Sequence, residues 1–371
     1  MGLSERIPTY RKIESIRRCP LITYVTGTRQ NAQGAMAADA LPELIDQILL
    51  LPADAKKIDL LIVSNGGDPT VAWRIMCLLR ERVENVGVFI PQSAFSAATL
   101  LALGADEIVM HSCGNLGPVD PQITAVRPNN ETIQFGSEDL AGFLRFVKET
   151  VGLSDQEYLK SAFELFCKEA GAVPIGVATR AAQLSVSMGE KLLRMHMKED
   201  AEGQKAKAIA EALNKKFFHH GYPVGRKEAK EIGLKIIEPD KELEHLIWGV
   251  WLDLEAEMKC RTPFIPMEEI AKSPMAEQLL AAVPQVTVPS GLPPEVMNQV
   301  ISQILKQISV VNLPGIDYEL KPAIIESLRK ASFFSIKGKL FARRDADLKI
   351  TLNNVILSSQ WIETSVPEHS K

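Results

Sequence analysis

The sequence predicts an α/β fold in which crossover helices connect the strands of a parallel sheet. Strand-like and helix-like segments alternate at short spacing from Leu21 to Met110. Residues Ile58–Ser64 are almost continuously apolar, which is typical of a parallel strand covered on both faces. This strand ends at a Gly66–Gly67 turn, and a helix start follows at once, since Asp68 is a good N-cap and Pro69 suits the first helical position.

Each element up to residue 110 follows from a local signal. Residues 1–18 are charged and polar, and they predict a lead-in helix or arm. A stripe of leucines and isoleucines predicts the first crossover helix, and Gly104 closes the third. We expect strands at Leu21–Gly27, Ile58–Ser64, Val86–Ile90 and Glu107–Met110, and helices at Asp39–Leu51, Pro69–Val83 and Ala97–Leu103.

The second half of the chain predicts a helical segment, the end of the sheet and a different C-terminal region. A Gly- and Pro-rich loop is expected at 114–122, mainly helix at 137–215, a strand at Leu234–Ile237 and a helix at Leu243–Met258. Seven prolines fall between Pro263 and Pro294, which is typical of a linker. Beyond it we expect a helix at Glu295–Gln307 and strands at Phe333–Phe341 and Leu348–Leu357. The predicted organisation is therefore an N-terminal arm (1–19), an α/β domain (20–260), and a linker with a small α+β extension of unknown role (261–371).

Composition narrows the function classes. The chain has 371 residues, 46% of them hydrophobic and 24% charged, and its net charge of -4 gives no electrostatic argument for nucleic acid or an anionic membrane. Its five cysteines are scattered without CxxC spacing, which favours reduced thiols over disulfides or a zinc site. The sequence has neither an apolar run of the roughly 18 residues that a membrane span needs nor an N-terminal signal-peptide core. We therefore expect a cytoplasmic protein without a metal or cofactor.

Two corners of the predicted sheet carry the parts needed for acyl transfer. The glycines of the Gly66–Gly67 turn leave their N–H groups free to approach a negatively charged oxygen. Ser96 stands where the next strand gives way to the helix that begins at Ala97, so that its hydroxyl would lie at a helix N-terminus. A serine at such a position can also serve only as a helix cap, and two adjacent glycines can serve only a tight turn.

Five segments of the chain form a recognisable series: Ser64–Pro69, Ser93–Leu100, Leu103–Met110, Leu116–Gln122 and His219–Leu234. In this order they resemble the Clp/crotonase superfamily of serine peptidases, and most of all the serine dehydrogenase proteinase family, which is similar to signal peptide peptidase A. The last segment contains that family's His-x-Tyr-Pro motif. The resemblance spans about residues 20–240 and does not extend to residues 262–371.

The resemblance implies a ββα spiral around a parallel sheet, assembled as trimers or higher rings. It implies that Ser96 is the nucleophile and that an oxyanion hole is formed at the Gly66–Gly67 turn and Ala97, with the N–H groups of Gly67 and Ala97 as its donors. One departure from the family pattern is an alanine at position 98, where relatives often carry glycine, and its methyl group could narrow the pocket.

The general base is the open question, because a serine hydroxyl is a poor nucleophile without one. His220 matches the family motif and could equally be a hydrogen-bonded loop histidine; Asp120 could orient its imidazole or simply form the turn before a proline. His111 lies away from the position of the Clp-type histidine. A lysine such as Lys148 or Lys160 is the other option, although the lysine of membrane-bound relatives falls near Glu138.

These observations favour a cytoplasmic, ATP-independent serine peptidase that cleaves polypeptides through a Ser96 acyl-enzyme. Two alternatives remain open from the sequence. One is a crotonase-type acyl-CoA enzyme, which would use the same N–H donors without a nucleophile. The other is a catalytically degenerate scaffold or binding protein.

Overall fold

The computed structural model describes residues 2–127, 130–198, 200–217, 219–274, 276–280, 293–345 and 348–366. The elements expected up to residue 110 are all present, with small differences at their ends. In chain order they are α1 (Leu3–Arg17), β1 (Leu21–Thr26), α2 (Ala40–Leu49), β2 (Lys57–Val63), α3 (Pro69–Arg82), β3 (Asn85–Ile90), β4 (Ser93–Ala94), α4 (Ala97–Leu103) and β5 (Glu107–Met110).

The middle of the chain is a hairpin followed by a helical layer, as the sequence predicts for 137–215. After β6 (Asn115–Leu116) come β7 (Ile123–Val126) and β8 (Thr132–Phe135), which pair as an antiparallel hairpin that the sequence did not reveal. The helices of this layer are α5 (Ser137–Arg145), a π-helical turn (Phe146–Thr150), α6 (Gln156–Ala170), α7 (Ala172–Leu193) and α8 (Asp200–Lys215).

Across the described ranges, no helix is both long and apolar enough to cross a membrane.

The chain then returns to the sheet and ends in long strands. The expected strand before residue 240 is the short β9, and the helices near 241 and 294 are present. The prolines Pro284 and Pro289 of the predicted linker lie outside the described residues. The elements are α9 (Arg226–Glu231), β9 (Ile236–Ile237), α10 (Lys241–Glu257), α11 (Pro266–Ala271), α12 (Ala276–Leu280), α13 (Pro294–Ser309), β10 (Val311–Asn312), β11 (Ile316–Ser327), β12 (Ala331–Arg344) and β13 (Ile350–Thr364).

A nine-stranded sheet organises the molecule, in the order β10-β12-β11-β1-β2-β3-β5-β9, with β13 beside β12. Strands β1, β2, β3, β5 and β9 run parallel, and β11 joins β1 antiparallel. Side chains alternate between two buried layers, because successive residues of a strand point to opposite faces. Leu60 and Ile62 enter one hydrophobic core, and Leu61 and Val63 enter the other. The predicted α/β class with a parallel central sheet is confirmed.

Helix α1 is packed against the body of the protein. Its Tyr10 and Ile13 are buried in the second core, and Arg6, only 3% exposed, pairs with Glu326 of β11 at 2.6 Å and with Asp253 of α10 at 2.9 Å. The ion pairs therefore connect the start of the chain to its C-terminal strands.

The C-terminal strands extend the central sheet. Residues Ile22–Thr26 of β1 pair with Ala323–Ser327 of β11, which the sequence did not reveal as a strand. The two strands that it did predict correspond to β12, which is longer at both ends, and to β13, which begins two residues later and continues to Thr364. The division into a domain at 20–260 and an extension at 261–371 stays a prediction.

Candidate active site

Ser96 lies on a strained corner between β4 and α4. Its backbone has φ 53° and ψ -116°, a conformation that residues other than glycine rarely adopt and that is often found at functional sites. The side chain is half-buried and makes no capping hydrogen bond to the helix that starts at Ala97. A helix-capping role therefore does not account for this serine.

The Gly66–Gly67 turn packs directly against this corner. A Cβ added to Gly66 would lie 2.8 Å from the Ser96 Cβ and 3.0 Å from the Ala97 nitrogen. Both glycines have positive φ, 101° and 148°. Only glycine combines this backbone conformation with such close approach at little cost. The two glycines thus allow the backbone of the turn to approach Ser96 closely.

Hydrogen bonds between β2 and β4 hold the two corners side by side. The Ser64 N–H donates to the Ser93 carbonyl, and the Phe95 N–H donates to the Ser64 carbonyl, each at 2.9 Å. Because the two chain segments separate just after these bonds, one into the glycine turn and the other into Ser96, their relative position is fixed by the sheet backbone.

The three amides of the predicted oxyanion hole differ in their partners. The Gly66 N–H donates to Ser64 Oγ at 3.0 Å and is therefore engaged within the protein, so Gly67 and Ala97 stay the predicted donors. Among the described residues, the N–H groups of Gly67 and Ala97 have no acceptor. The Gly66 carbonyl accepts from the Met36 N–H at 2.7 Å. In a trans peptide the N–H points opposite to the carbonyl, so the Gly67 N–H points away from Met36.

His220 and Asp120 form a second group. The imidazole Nδ1 and Asp120 Oδ1 are 2.7 Å apart, and Gln122 donates to the other carboxylate oxygen, Oδ2, at 3.1 Å. The hydrogen bond to Asp120 raises the pKa of His220 above its ordinary value, although burial opposes it. Within the described chain the Nε2 atom has no partner. This is the arrangement of an imidazole oriented by a carboxylate.

A pocket of about 320 Å³ opens beside this pair. His220 and Asp120 are part of its lining, together with residues of β8, α5 and the end of α8. Glu138, at the position of the lysine in membrane-bound relatives, also lines it, and Ser96 does not. Its other lining residues include Gln122, Gln134, Asp139, Asn214, Lys215, Phe217 and His219.

Backbone hydrogen bonds connect the segment that leads to Ser96 with the segments that carry Asp120 and His220. The Gly117 N–H donates to the Ala94 carbonyl at 3.1 Å, just before Ser96, and Leu116 and Val224 exchange hydrogen bonds of 2.9 and 2.8 Å. The segment carrying Asp120 therefore runs beside the serine corner, and the segment carrying His220 pairs with it. Among the described residues, no hydrogen bond joins Ser96 to His220.

The other candidate bases lie in different surroundings. His111 is buried against Trp248, with ring centroids 4.7 Å apart, and burial lowers its pKa. Lys148 is exposed on the π-helical turn, and Lys160 is exposed and forms an ion pair with Glu164 at 3.7 Å.

The sequence did not reveal two side chains that contact the site. Gln122 donates a hydrogen bond to Asp120, and although it ends one of the five resembling segments, its sequence context gave no reason to assign it a role. Thr26 donates to Ser64 Oγ at 2.7 Å across β1 and β2, and only the strand register could have placed the two hydroxyls together.

Comparison with known proteins shows which family the region containing Ser96 resembles. Residues 4–134 match the family described as ClpP-like SDH-type serine proteinase. Over this segment the chain is similar to that family. The resemblance expected from the motifs is confirmed. The matched segment contains Ser96, Gly67, Ala97 and Asp120, whereas His220 lies beyond it.

Two curated relatives are uncharacterized proteins of Methanocaldococcus jannaschii. One is 28% identical over 195 residues, covering 52% of this chain and 56% of the relative. The other is 25% identical over 240 residues, covering 62% and 73%. The chain thus spans little more than half the length of the first relative.

Similar solved structures include two mutants of the 1510-N membrane-bound stomatin-specific protease and ClpP1 from Listeria monocytogenes. The first mutant has 15% identity and a TM-score of 0.36, covering 61% of this chain and 84% of that one. The second, in complex with a substrate peptide, has 17% identity and a TM-score of 0.35, covering 57% and 74%. ClpP1 has 15% identity and a TM-score of 0.34, covering 64% and 99%.

Proposed function

We propose that this protein is an ATP-independent serine endopeptidase that cleaves unfolded polypeptides in the cytoplasm. The observation that carries the proposal is the strained Ser96 corner packed against the glycine turn, where the Gly67 and Ala97 N–H groups have no acceptor in the described part of the chain. A serine held at positive φ without a capping hydrogen bond is typical of a functional position, and the match of residues 4–134 to a serine proteinase family supports the reaction class.

In the proposed reaction, Ser96 Oγ attacks the scissile carbonyl carbon, and His220 Nε2 takes the hydroxyl proton. The negatively charged oxygen of the tetrahedral intermediate accepts hydrogen bonds from the Gly67 and Ala97 N–H groups. The C–N bond then breaks as His220 returns the proton to the leaving amine. Water attacks the Ser96 ester with His220 again as base, and the acid product leaves.

Asp120 supports this role for His220. A carboxylate hydrogen-bonded to Nδ1 leaves Nε2 facing the substrate side and stabilises the imidazolium formed during attack. The hydrogen bond between His220 and Ser96 that this mechanism needs would form when a polypeptide binds, because catalytic hydrogen bonds are often long in free enzymes and tighten in the complex. Assembly into a trimer or a larger ring is part of the same proposal.

A fluorophosphonate probe tests the assignment directly. We expect labelling of the wild type, none of Ser96→Ala, and about 100-fold slower labelling of His220→Ala, since general bases contribute about 10² to 10⁴ in rate. Labelling unaffected by His220→Ala would remove this histidine from the mechanism and keep the peptidase. An unlabelled wild type that also leaves casein intact would favour a scaffold, and thioester turnover tolerant of Ser96→Ala would favour an acyl-CoA enzyme.

A further inference from the structure

Gly66 is held from both sides by hydrogen bonds. Its N–H donates to Ser64 Oγ at 3.0 Å, and its carbonyl accepts from the Met36 N–H at 2.7 Å. These bonds fix the two peptide planes that meet at the Gly66 Cα. The second plane carries the Gly67 N–H, so its direction depends on both bonds.

The Ser64 hydroxyl is itself positioned by a second buried hydroxyl. Thr26 Oγ1 donates to Ser64 Oγ at 2.7 Å, and the Ser64 hydroxyl lies 3.5 Å from the Gly66 carbonyl oxygen. Thr26 is 1% exposed and Ser64 is fully buried. They are neighbours because β1 and β2 pair in parallel with Val25 beside Val63. In such a dry environment, a fully bonded polar chain is rigid, and leaving one of its groups unpaired is costly.

We propose that Thr26 and Ser64 are positioning residues of the oxyanion hole, which set the direction of the Gly67 N–H through Gly66. This inference rests on the proposed peptidase function. Neither hydroxyl touches substrate; Thr26 orients Ser64, and Ser64 withdraws the Gly66 N–H from competition for the oxyanion and fixes the glycine at its φ of 101°.

The physical need for such a pair comes from the glycines. A glycine turn can rotate over a wide range of φ and ψ, so the sequence that permits close approach to Ser96 does not by itself fix the donor. An oxyanion donor lowers the barrier only when it is held in place before the reaction. Two side chains from the rigid centre of the sheet supply that constraint, and they act on the transition state rather than on substrate binding.

Four variants of the full-length chain separate positioning from a merely structural role. Ser64→Ala removes the acceptor, Thr26→Val removes the donor while keeping the shape, and Thr26→Ser keeps the hydroxyl. Thr23→Val is the matched control, because Thr23 is a fully buried threonine of the same strand on its other face. Peptide hydrolysis gives kcat and KM, and thermal unfolding reports on folding.

We expect Ser64→Ala to lower kcat about 100-fold and Thr26→Val about tenfold, with KM changed less than about threefold, because a misdirected oxyanion donor acts on the transition state. Thr26→Ser and Thr23→Val should stay within about twofold of the wild type. If Ser64→Ala does not fold, Thr26→Val alone carries the test.

Several outcomes would overturn the inference. One is a kcat of Thr26→Val within about twofold of the wild type; another is an equal loss in Thr23→Val; a third is a loss carried by KM. In each of these the wild type remains active and the peptidase proposal stands. A wild type that neither reacts with fluorophosphonate nor cleaves peptides contradicts the peptidase function itself, and the positioning role falls with it.

Discussion

The two halves of the candidate site are built in different ways. The Gly66–Gly67 turn follows β2 of the central sheet and the Ser96 corner follows β4, which pairs with β6; backbone hydrogen bonds join the two, and two buried hydroxyls back the turn. His220 and Asp120 lie on connecting loops beside the helical layer, 40% and 22% exposed, and are joined to each other by one side-chain contact.

Because of this difference, substitutions in the two halves should affect stability and activity differently. At the corner, geometry and folding rest on the same backbone contacts, so a substitution there should damage both stability and activity. At the loop pair, the side chains add little to packing, so substitutions should reduce activity and leave stability unchanged. The following predictions test that separation, from the largest expected effect to the smallest.

Gly67→Ala should cause the largest combined loss. A Cβ at this position would lie 2.2 Å from the Met36 carbonyl oxygen, at a φ of 148° that a side chain disfavours. We expect a destabilisation of about 3 kcal/mol and a loss of peptide hydrolysis of about 1,000-fold, measured by chemical denaturation and steady-state kinetics. The control is Gly249→Ala in α10, where an added Cβ meets nothing within 4 Å; retention of full activity by Gly67→Ala would contradict the assignment of the corner.

His220→Ala should reduce kcat by about 100-fold or more while changing the free energy of unfolding by less than about 0.5 kcal/mol. The reason is that the side chain is 40% exposed and its one described partner is Asp120. The exposed His245→Ala of α10 is the control and should stay close to the wild type. A large loss of stability in His220→Ala would show that the two halves are not separable in this way.

Asp120→Asn should move the pH dependence as well as the rate. Since hydrogen bonding to Asp120 raises the pKa of His220, wild-type activity should appear as pH rises through a pKa above the ordinary histidine value. Removing the carboxylate charge lowers that pKa. The acidic limb of the kcat/KM profile should therefore shift to lower pH, while the plateau falls about 10- to 100-fold because the imidazolium loses its partner. An unshifted limb would assign it to another group.

Lys148→Ala should have the smallest effect, less than about twofold on kcat/KM. Lys148 is exposed on the π-helical turn, and a lysine base must be desolvated to lose its proton near neutral pH. The matched control is Lys160→Ala, on the next helix. A loss of about 100-fold in Lys148→Ala alone would replace His220 by a lysine base.

The sequence predicted the corner well because its determinants are local. A continuous apolar strand, two glycines and an Asp-Pro helix start lie within twelve residues, and the structure has the strand, the turn and the Asp68 cap in those places. Ser96 likewise stands one residue before a helix whose bounds the sequence predicted.

The features that the sequence did not predict depend on contacts between distant parts of the chain. The pairing of Asp120 with His220 spans a hundred residues, and the Thr26–Ser64 bond depends on strand register. Nothing local revealed that Ser64 would engage the Gly66 N–H and leave Gly67 as the amide without an acceptor among the described residues. The strand β11 escaped notice because charged residues and a proline interrupt its apolar pattern, and its pairing with β1 joins positions some three hundred residues apart.

The pairing of β11 with β1 has a consequence for biosynthesis. Until β11 has emerged from the ribosome, β1 has an open backbone edge, which is a known route to association with other chains. A nascent polypeptide carrying the complete serine corner would therefore remain aggregation-prone until its final strands emerge. Truncation at the boundary of the family match should leave the same edge exposed permanently, so recombinant production calls for a polypeptide that includes β11.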